Sequence, residues 1–166
     1  MNPELLLALA REKGARITTA ESCTGGLIAM LLTEVPGSSD VFDRGYVTYS
    51  NLAKREMLWV QEKTLDAHGA VSEQVAYEMA ENALFRSGVT LAVSVTGIAG
   101  PGGSEHKPEG RVCFGLAMAL RDVFTETVEF GAIGRAKVRQ ASADHALALL
   151  AAALRQMPVR EPASEA

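Results

Sequence analysis

A serine that attacks a carbonyl needs a base to take its proton and donors to hold the negative charge that develops. The segment Glu21-Ser22-Cys23-Thr24-Gly25-Gly26 offers a hydroxyl just ahead of two glycines. Gly25 and Gly26 let backbone N–H groups approach a ligand closely. A helix starting there adds partial positive charge, an arrangement suited to a phosphate or an oxyanion. Plain helix capping by Ser22 or Thr24 fits the same residues. A second group, Tyr49-Ser50-Asn51 with Lys54, reads as another strand-to-helix junction and could share a rim with Ser22. A lysine desolvated beside a hydroxyl loses its proton more readily and can then act as a base towards the serine, whereas a solvated surface lysine cannot.

A third group, Thr96-Gly97-Ile98-Ala99-Gly100-Pro101-Gly102-Gly103-Ser104, offers many amides with few side chains in the way. It is either an anion nest or a connecting loop. It carries neither the Lys-Ser/Thr ending of a P-loop nor a dinucleotide-binding fingerprint. Arg135, Lys137 and Arg139 form one short basic cluster, which reads as a solvated helix face or as a grip for a small anion. His68, His106 and His145 are scattered, and Cys23 and Cys113 are far apart, so no metal site is expected. A Ser-His-Asp triad stays open on sequence alone, although no Gly-x-Ser-x-Gly pattern surrounds Ser22.

The elements that must position these groups alternate. Asn2, Pro3 and Glu4 begin a helix over about 3–13 that Gly14 ends. The β-branched stretch 15–20 reads as a strand, 25–34 as a helix stopped by Pro36-Gly37, and Gly45–Tyr49 as a second strand. A helix capped by Asn51 should run to Leu58, and Ser72 should open another that lasts to Ser87-Gly88. The apolar run Leu91, Ala92, Val93 and Val95 predicts a central strand covered on both faces. After the 97–110 loop, 111–119 and 123–130 are strand-like and joined by Leu120-Arg121-Asp122, a gap that suits a hairpin. The last helix, about 134–156, should bury Val138, Ala141, His145, Leu149 and Ala152. The expected architecture is a three-layer α/β/α sandwich around a mixed, mostly parallel sheet of about five strands. One domain over 1–157 and a tail of little packing value over 158–166 follow from the 166-residue length.

Composition narrows the partners. The chain is 48% apolar and 22% charged, with a mean hydropathy of +0.08, which excludes global disorder. Sixteen basic against twenty acidic residues leave a net charge of −4, and the aromatics are few, so direct nucleic-acid binding is not expected. No apolar run of membrane-spanning length and no signal pattern occurs, so a cytoplasmic protein without a membrane partner is expected. An open sheet with edge strands favours a homodimer or other homo-oligomer.

Taken together, Ala20–Gly26, Gly45–Asn51 with Lys54, His68-Gly69-Ala70-Val71-Ser72 and Thr96–Pro101 resemble the CinA C-terminal domain family of nicotinamide-nucleotide amidases, over about residues 3–156. The resemblance implies cofactor-free hydrolysis of the carboxamide of nicotinamide mononucleotide to nicotinate mononucleotide and ammonia, a salvage step for the pyridine ring. It implies Ser22 as nucleophile and Lys54 as its base, with Tyr49 positioning Lys54 or shuttling its proton. The turn with Thr24, Gly25 and Gly26 is expected to supply oxyanion donors. Thr96, Gly97 and Gly100 of the glycine-rich loop, with Arg135 or Arg139, are expected to hold the phosphate. The alternative functions are a binding module that senses a pyridine nucleotide without cleaving it, and a competence-related partner protein.

Overall fold

The computed structural model describes residues 1–104 and 106–159. Helix α1 spans Pro3–Lys13. The Asn2 side chain accepts the Glu4 N–H at 2.7 Å, and Gly14 ends the helix at φ 60°, a left-handed conformation that costs glycine little. Strand β1 (Ile17–Glu21) leads into α2 (Leu27–Thr33). After a single 3₁₀ turn at Ser38–Asp40, β2 (Phe42–Val47) leads into α3 (Asn51–Leu58), α4 (Glu62–His68) and α5 (Glu73–Ser87). The chain closes with β3 (Leu91–Gly97), β4 (Arg111–Met118), β5 (Phe124–Glu129) and α6 (Arg135–Arg155).

The strand order is β2-β1-β3-β4-β5. β1 pairs in parallel with both β2 and β3, while β4 runs antiparallel to β3 and β5, so one strand opposes the other four. This is the expected mixed, mostly parallel sheet. Leu91, Val93 and Val95 face a core built with α1, α2 and α6, and Ala92 faces a second core built with α3, α4 and α5. Side chains alternate across a strand, so apolar residues at adjacent positions such as Leu91, Ala92 and Val93 need a layer on each side. Helix α5 lies close to the sheet: the Ser94 hydroxyl donates to the Ala76 carbonyl at 2.6 Å, and Gly115 beside it leaves no room for a Cβ, which would sit 2.4 Å from the same oxygen.

Several boundaries differ from the sequence expectation. The second strand lies at Phe42–Val47 and not Gly45–Tyr49: the Thr48 N–H makes a last bond to the Glu21 carbonyl at 2.9 Å, and the chain then turns away into α3. The cap of α3 is Ser50, whose hydroxyl accepts the Ala53 N–H at 3.0 Å, and Asn51 is the first helical residue. Helix α4 was not anticipated. Glu78 of α5 fixes its start by accepting the Gln61 N–H at 2.7 Å and the Thr64 hydroxyl at 2.6 Å, a tertiary contact invisible to local pattern. On α6 the buried face is Val138, Ser142, Ala146, Leu150 and Leu154, while Ala141, His145 and Leu149 are half-buried and Ala152 is exposed. The expected stripe was rotated because alanines are abundant on every side of this helix and mark no face. Of the expected tail, residues 160–166 lie outside the described residues.

This topology creates the crevice. From β1 the chain moves to β2 on one side and later returns to β3 on the other, so the loops leaving β1 and β3 diverge, and ligands bind at such switch points beyond the carboxyl ends of the strands. Ser22 follows β1, Thr48 and Tyr49 follow β2, and Thr96 and Gly97 end β3.

Candidate active site

Ser22 is the first residue past β1, and its N–H still donates to the Val95 carbonyl at 2.9 Å, which anchors it to the sheet. Lys54 and Leu58, four residues apart, form the buried face of α3. The lysine stem therefore runs inward, and the whole residue is only 1% exposed. Its Nζ donates to Ser22 Oγ at 2.9 Å and to the Thr48 carbonyl at 2.8 Å. Burial without a carboxylate partner disfavours the charged amine, lowering its pKa from the usual 10.5 to about 8. An ionised Cys23 would oppose that shift, but burial pushes the Cys23 thiol up to about 12, so it stays protonated at neutral pH. The hydroxyl is thus paired with an amine that is partly neutral, while the adjacent thiol is held in its unreactive form.

Both groups open into a cavity of about 220 Å³. Its remaining lining comes from Cys23, Tyr49, Asn51, Ala70, Val71, Thr96, Gly97, Ala99 and Arg135. At the mouth, Arg135 from the start of α6 donates to the Gly100 carbonyl at 2.9 Å and to the Tyr49 hydroxyl at 2.7 Å. Tyr49 is 59% exposed and engages Arg135; the group holding Lys54 in place is the Thr48 carbonyl.

The turn after Ser22 is built differently from the expectation. Glu21, wholly buried, accepts the N–H groups of Gly26 (3.0 Å), Ile28 (3.1 Å) and Ala29 (2.9 Å), and so caps α2 with its own carboxylate. The Gly25 and Leu27 N–H groups bond to the Ser22 and Thr24 carbonyls. The amides of Gly25 and Gly26 are therefore already spent, and neither glycine lines the cavity. Thr24 is also outside it, with a buried hydroxyl. Arg139 bonds the carbonyls of Cys23 (3.2 Å) and Thr24 (2.9 Å), stapling the turn to α6 rather than reaching a ligand. Gly100 does not line the cavity, and a Cβ there would meet the Glu109 side chain at 2.4 Å. The supposed anion nest of the 97–103 loop already holds an anion: the Glu109 carboxylate accepts the Gly102 N–H at 2.6 Å.

None of the histidines described here lines the cavity, and His145 instead pairs with Glu126 at 2.6 Å against Phe114. Among the described residues, no three His, Cys, Asp or Glu side chains are grouped so as to hold a metal ion. Nor is any described helix long and apolar enough to cross a membrane. Sequence reasoning missed Asn51, Ala70, Val71 and Ala99 as lining residues, and the capping role of Glu21. The first four sit within the sequence motifs already noted, but only a three-dimensional contact reveals them. An acid directly before Ser22 and six residues before the start of α2 was a readable sign of the last.

Comparison with known proteins places this geometry among relatives. The CinA C-terminal domain model matches residues 2–154. A nicotinamide-nucleotide amidohydrolase PncC of Escherichia coli K12 is 52% identical over 134 residues, covering 80% of this chain and 81% of that protein. The protein of the same name from Enterobacter agglomerans is 56% identical, covering 74% and 76%. A CinA-like protein of Chlorobium phaeobacteroides is 57% identical over 130 residues, 76% of this chain, but the match spans only 31% of that longer protein. Among solved structures, the competence/damage inducible protein CihA of Agrobacterium tumefaciens superposes with a TM-score of 0.86 at 48% identity, covering 94% of this chain and 97% of that one.

Proposed function

The chain belongs to the CinA C-terminal domain family, and on that premise we propose that it hydrolyses the carboxamide of nicotinamide mononucleotide, giving nicotinate mononucleotide and ammonia. The observation that carries this reading is the 2.9 Å contact between Ser22 and a buried Lys54, whose pKa burial lowers to about 8, at the floor of a cavity. Neutral Lys54 accepts the Ser22 proton as Oγ attacks the carboxamide carbon, and the resulting ammonium protonates the departing nitrogen. Ammonia leaves, and water, deprotonated by the same amine, cleaves the acyl-enzyme and frees Ser22. With the Gly25 and Gly26 amides engaged and Thr24 outside the cavity, the N–H of Cys23, the turn residue that lines it, is the donor assigned to the oxyanion. Arg135 is the phosphate ligand: its guanidinium at the cavity mouth can exchange a neutral carbonyl and a phenol for a charged oxygen, a stronger acceptor. Thr96 and Gly97 form the wall against which the ring lies. The assembly proposed is a homodimer or other homo-oligomer, β2 and β5 being the sheet's edges.

The test is ammonia release from nicotinamide mononucleotide by the wild type, Ser22→Ala and Lys54→Ala. Turnover in the wild type that both substitutions abolish is expected. Turnover unaffected by either removes the mechanism, and binding of the nucleotide without turnover in the wild type converts the protein into a sensor.

A further inference from the structure

Four consecutive carbonyls, those of His68, Gly69, Ala70 and Val71, each accept a hydrogen bond from a side chain. Lys107 Nζ donates to His68 at 2.6 Å and also to Val71, the Ser72 hydroxyl donates to Gly69 at 2.9 Å, and the Thr96 hydroxyl donates to Ala70 at 2.8 Å. A short turn without a ladder partner is normally satisfied by water, so saturation by side chains marks a segment held in one shape. Two of the four residues, Ala70 and Val71, line the cavity of Ser22 and Lys54. Lys107 belongs to the loop after β3, whose start at Gly97 and Ala99 lines the same cavity. One ammonium therefore ties two walls together. His68 is also the last residue of α4, where exposed carbonyls concentrate partial negative charge and a cation is favoured. Gly69 makes the approach possible: its φ is +73°, and a Cβ there would lie 3.3 Å from Lys107 Nζ.

We propose that Lys107 is a positioning residue of this site, fixing the distance between the 69–71 turn and the 97–99 wall so that a flat aromatic amide is held with its carbonyl carbon against Ser22. The inference rests on the reading of the site as an amidase for a pyridine nucleotide. Lys107 touches no reacting atom and exchanges no proton. Losing it should loosen the seat of the substrate while leaving the Ser22–Lys54 pair as it is.

The experiment compares Lys107→Met, which keeps the stem and removes the donors, with Lys107→Arg, whose guanidinium can again span two carbonyls. Hydrogen exchange of the free protein reads the clamp without any substrate: amides in 69–73 and 97–104 should exchange faster together in Lys107→Met and return towards wild type in Lys107→Arg. Calorimetry of nicotinamide mononucleotide on Ser22→Ala and on Ser22→Ala/Lys107→Met should show roughly tenfold weaker binding in the double variant. Steady-state kinetics should show kcat/KM reduced on the order of 10²-fold with the midpoint of its pH profile unmoved. Unchanged exchange in those two segments overturns the proposal, as does faster exchange with unchanged affinity. A shifted pH midpoint overturns it too, since Lys107 would then act on Lys54 and not on the wall. Absence of both turnover and nucleotide binding in proteins with wild-type Lys107 marks failure of the amidase reading instead.

Discussion

If a neutral Lys54 is the base, activity must follow its deprotonation. With a pKa of about 8, the neutral fraction is ~1% at pH 6, ~9% at pH 7 and ~90% at pH 9, so kcat/KM should climb about 90-fold across that span with unit slope below pH 8. The lowering from 10.5 to about 8 corresponds to about 3 kcal/mol of penalty on the charged amine, which the structure attributes to burial with no carboxylate beside it. The assay is initial-rate ammonia release at subsaturating nucleotide between pH 6 and 9.5, with thermal melts to establish that the fold persists throughout. Cys23→Ser is the control. A thiol that titrates near 12 contributes nothing to the limb, so the midpoint should remain near 8 whatever the variant's amplitude. Lys54→Arg should be inactive at every pH, because a guanidinium does not release its proton. A flat profile, a midpoint at 10 or above, or an unaltered profile in Lys54→Met would refute the assignment.

The same lysine makes a prediction about stability. Its folded-state pKa lies below its unfolded one, so the unfolded chain binds more protons between pH 8 and 10.5 and stability due to this group rises with pH through that window. Relative to Lys54→Met, the wild type should gain about 3 kcal/mol from pH 8 to 10.5 in paired urea titrations, and a gain towards acid would contradict the burial argument. Glu21→Ala leaves the N–H groups of Gly26, Ile28 and Ala29 at the start of α2 without their acceptor, that of Ile28 buried and the other two partly so, and should cost about 1–3 kcal/mol in the same titrations, with Glu21→Gln recovering part of it. Arg135→Ala should raise KM for nicotinamide mononucleotide by roughly 10–100-fold with little change in kcat, and should scarcely alter turnover of the phosphate-free nucleoside; equal losses on both substrates would remove Arg135 from the phosphate. Gly115→Ala drives a Cβ into the Ala76 carbonyl and should destabilise by about 1–3 kcal/mol without shifting the pH midpoint.

Much of this was legible in the chain itself. Local signals act over a few residues, so the caps at Asn2 and Ser72, the glycine stops at Gly14 and Gly88, and the apolar cluster Leu91, Ala92, Val93 and Val95 fixed their elements without tertiary help. The spacing that put Ser22 and Lys54 at two strand-to-helix junctions was readable for the same reason, since junctions of parallel strands gather on one rim. Tertiary structure decided what those residues face. Whether a lysine is solvated or buried depends on which side of α3 packs inward. Whether glycine amides greet a ligand depends on who reaches them first, and here Glu21 and Glu109, each a protein carboxylate, occupy the donors that the glycine patterns advertised. Arg135 and Arg139 illustrate the same limit: one turn apart on the same side of α6 and alike in chemistry, they are separated by a rise of about 6 Å along the helix, so one bridges the cavity mouth and the other staples a turn. Sequence determines the supply of donors, acceptors and charges and the local conformation that carries them. Their pairing is settled only when distant segments meet, because a hydrogen bond is won by whichever acceptor the folded chain brings within about 3 Å.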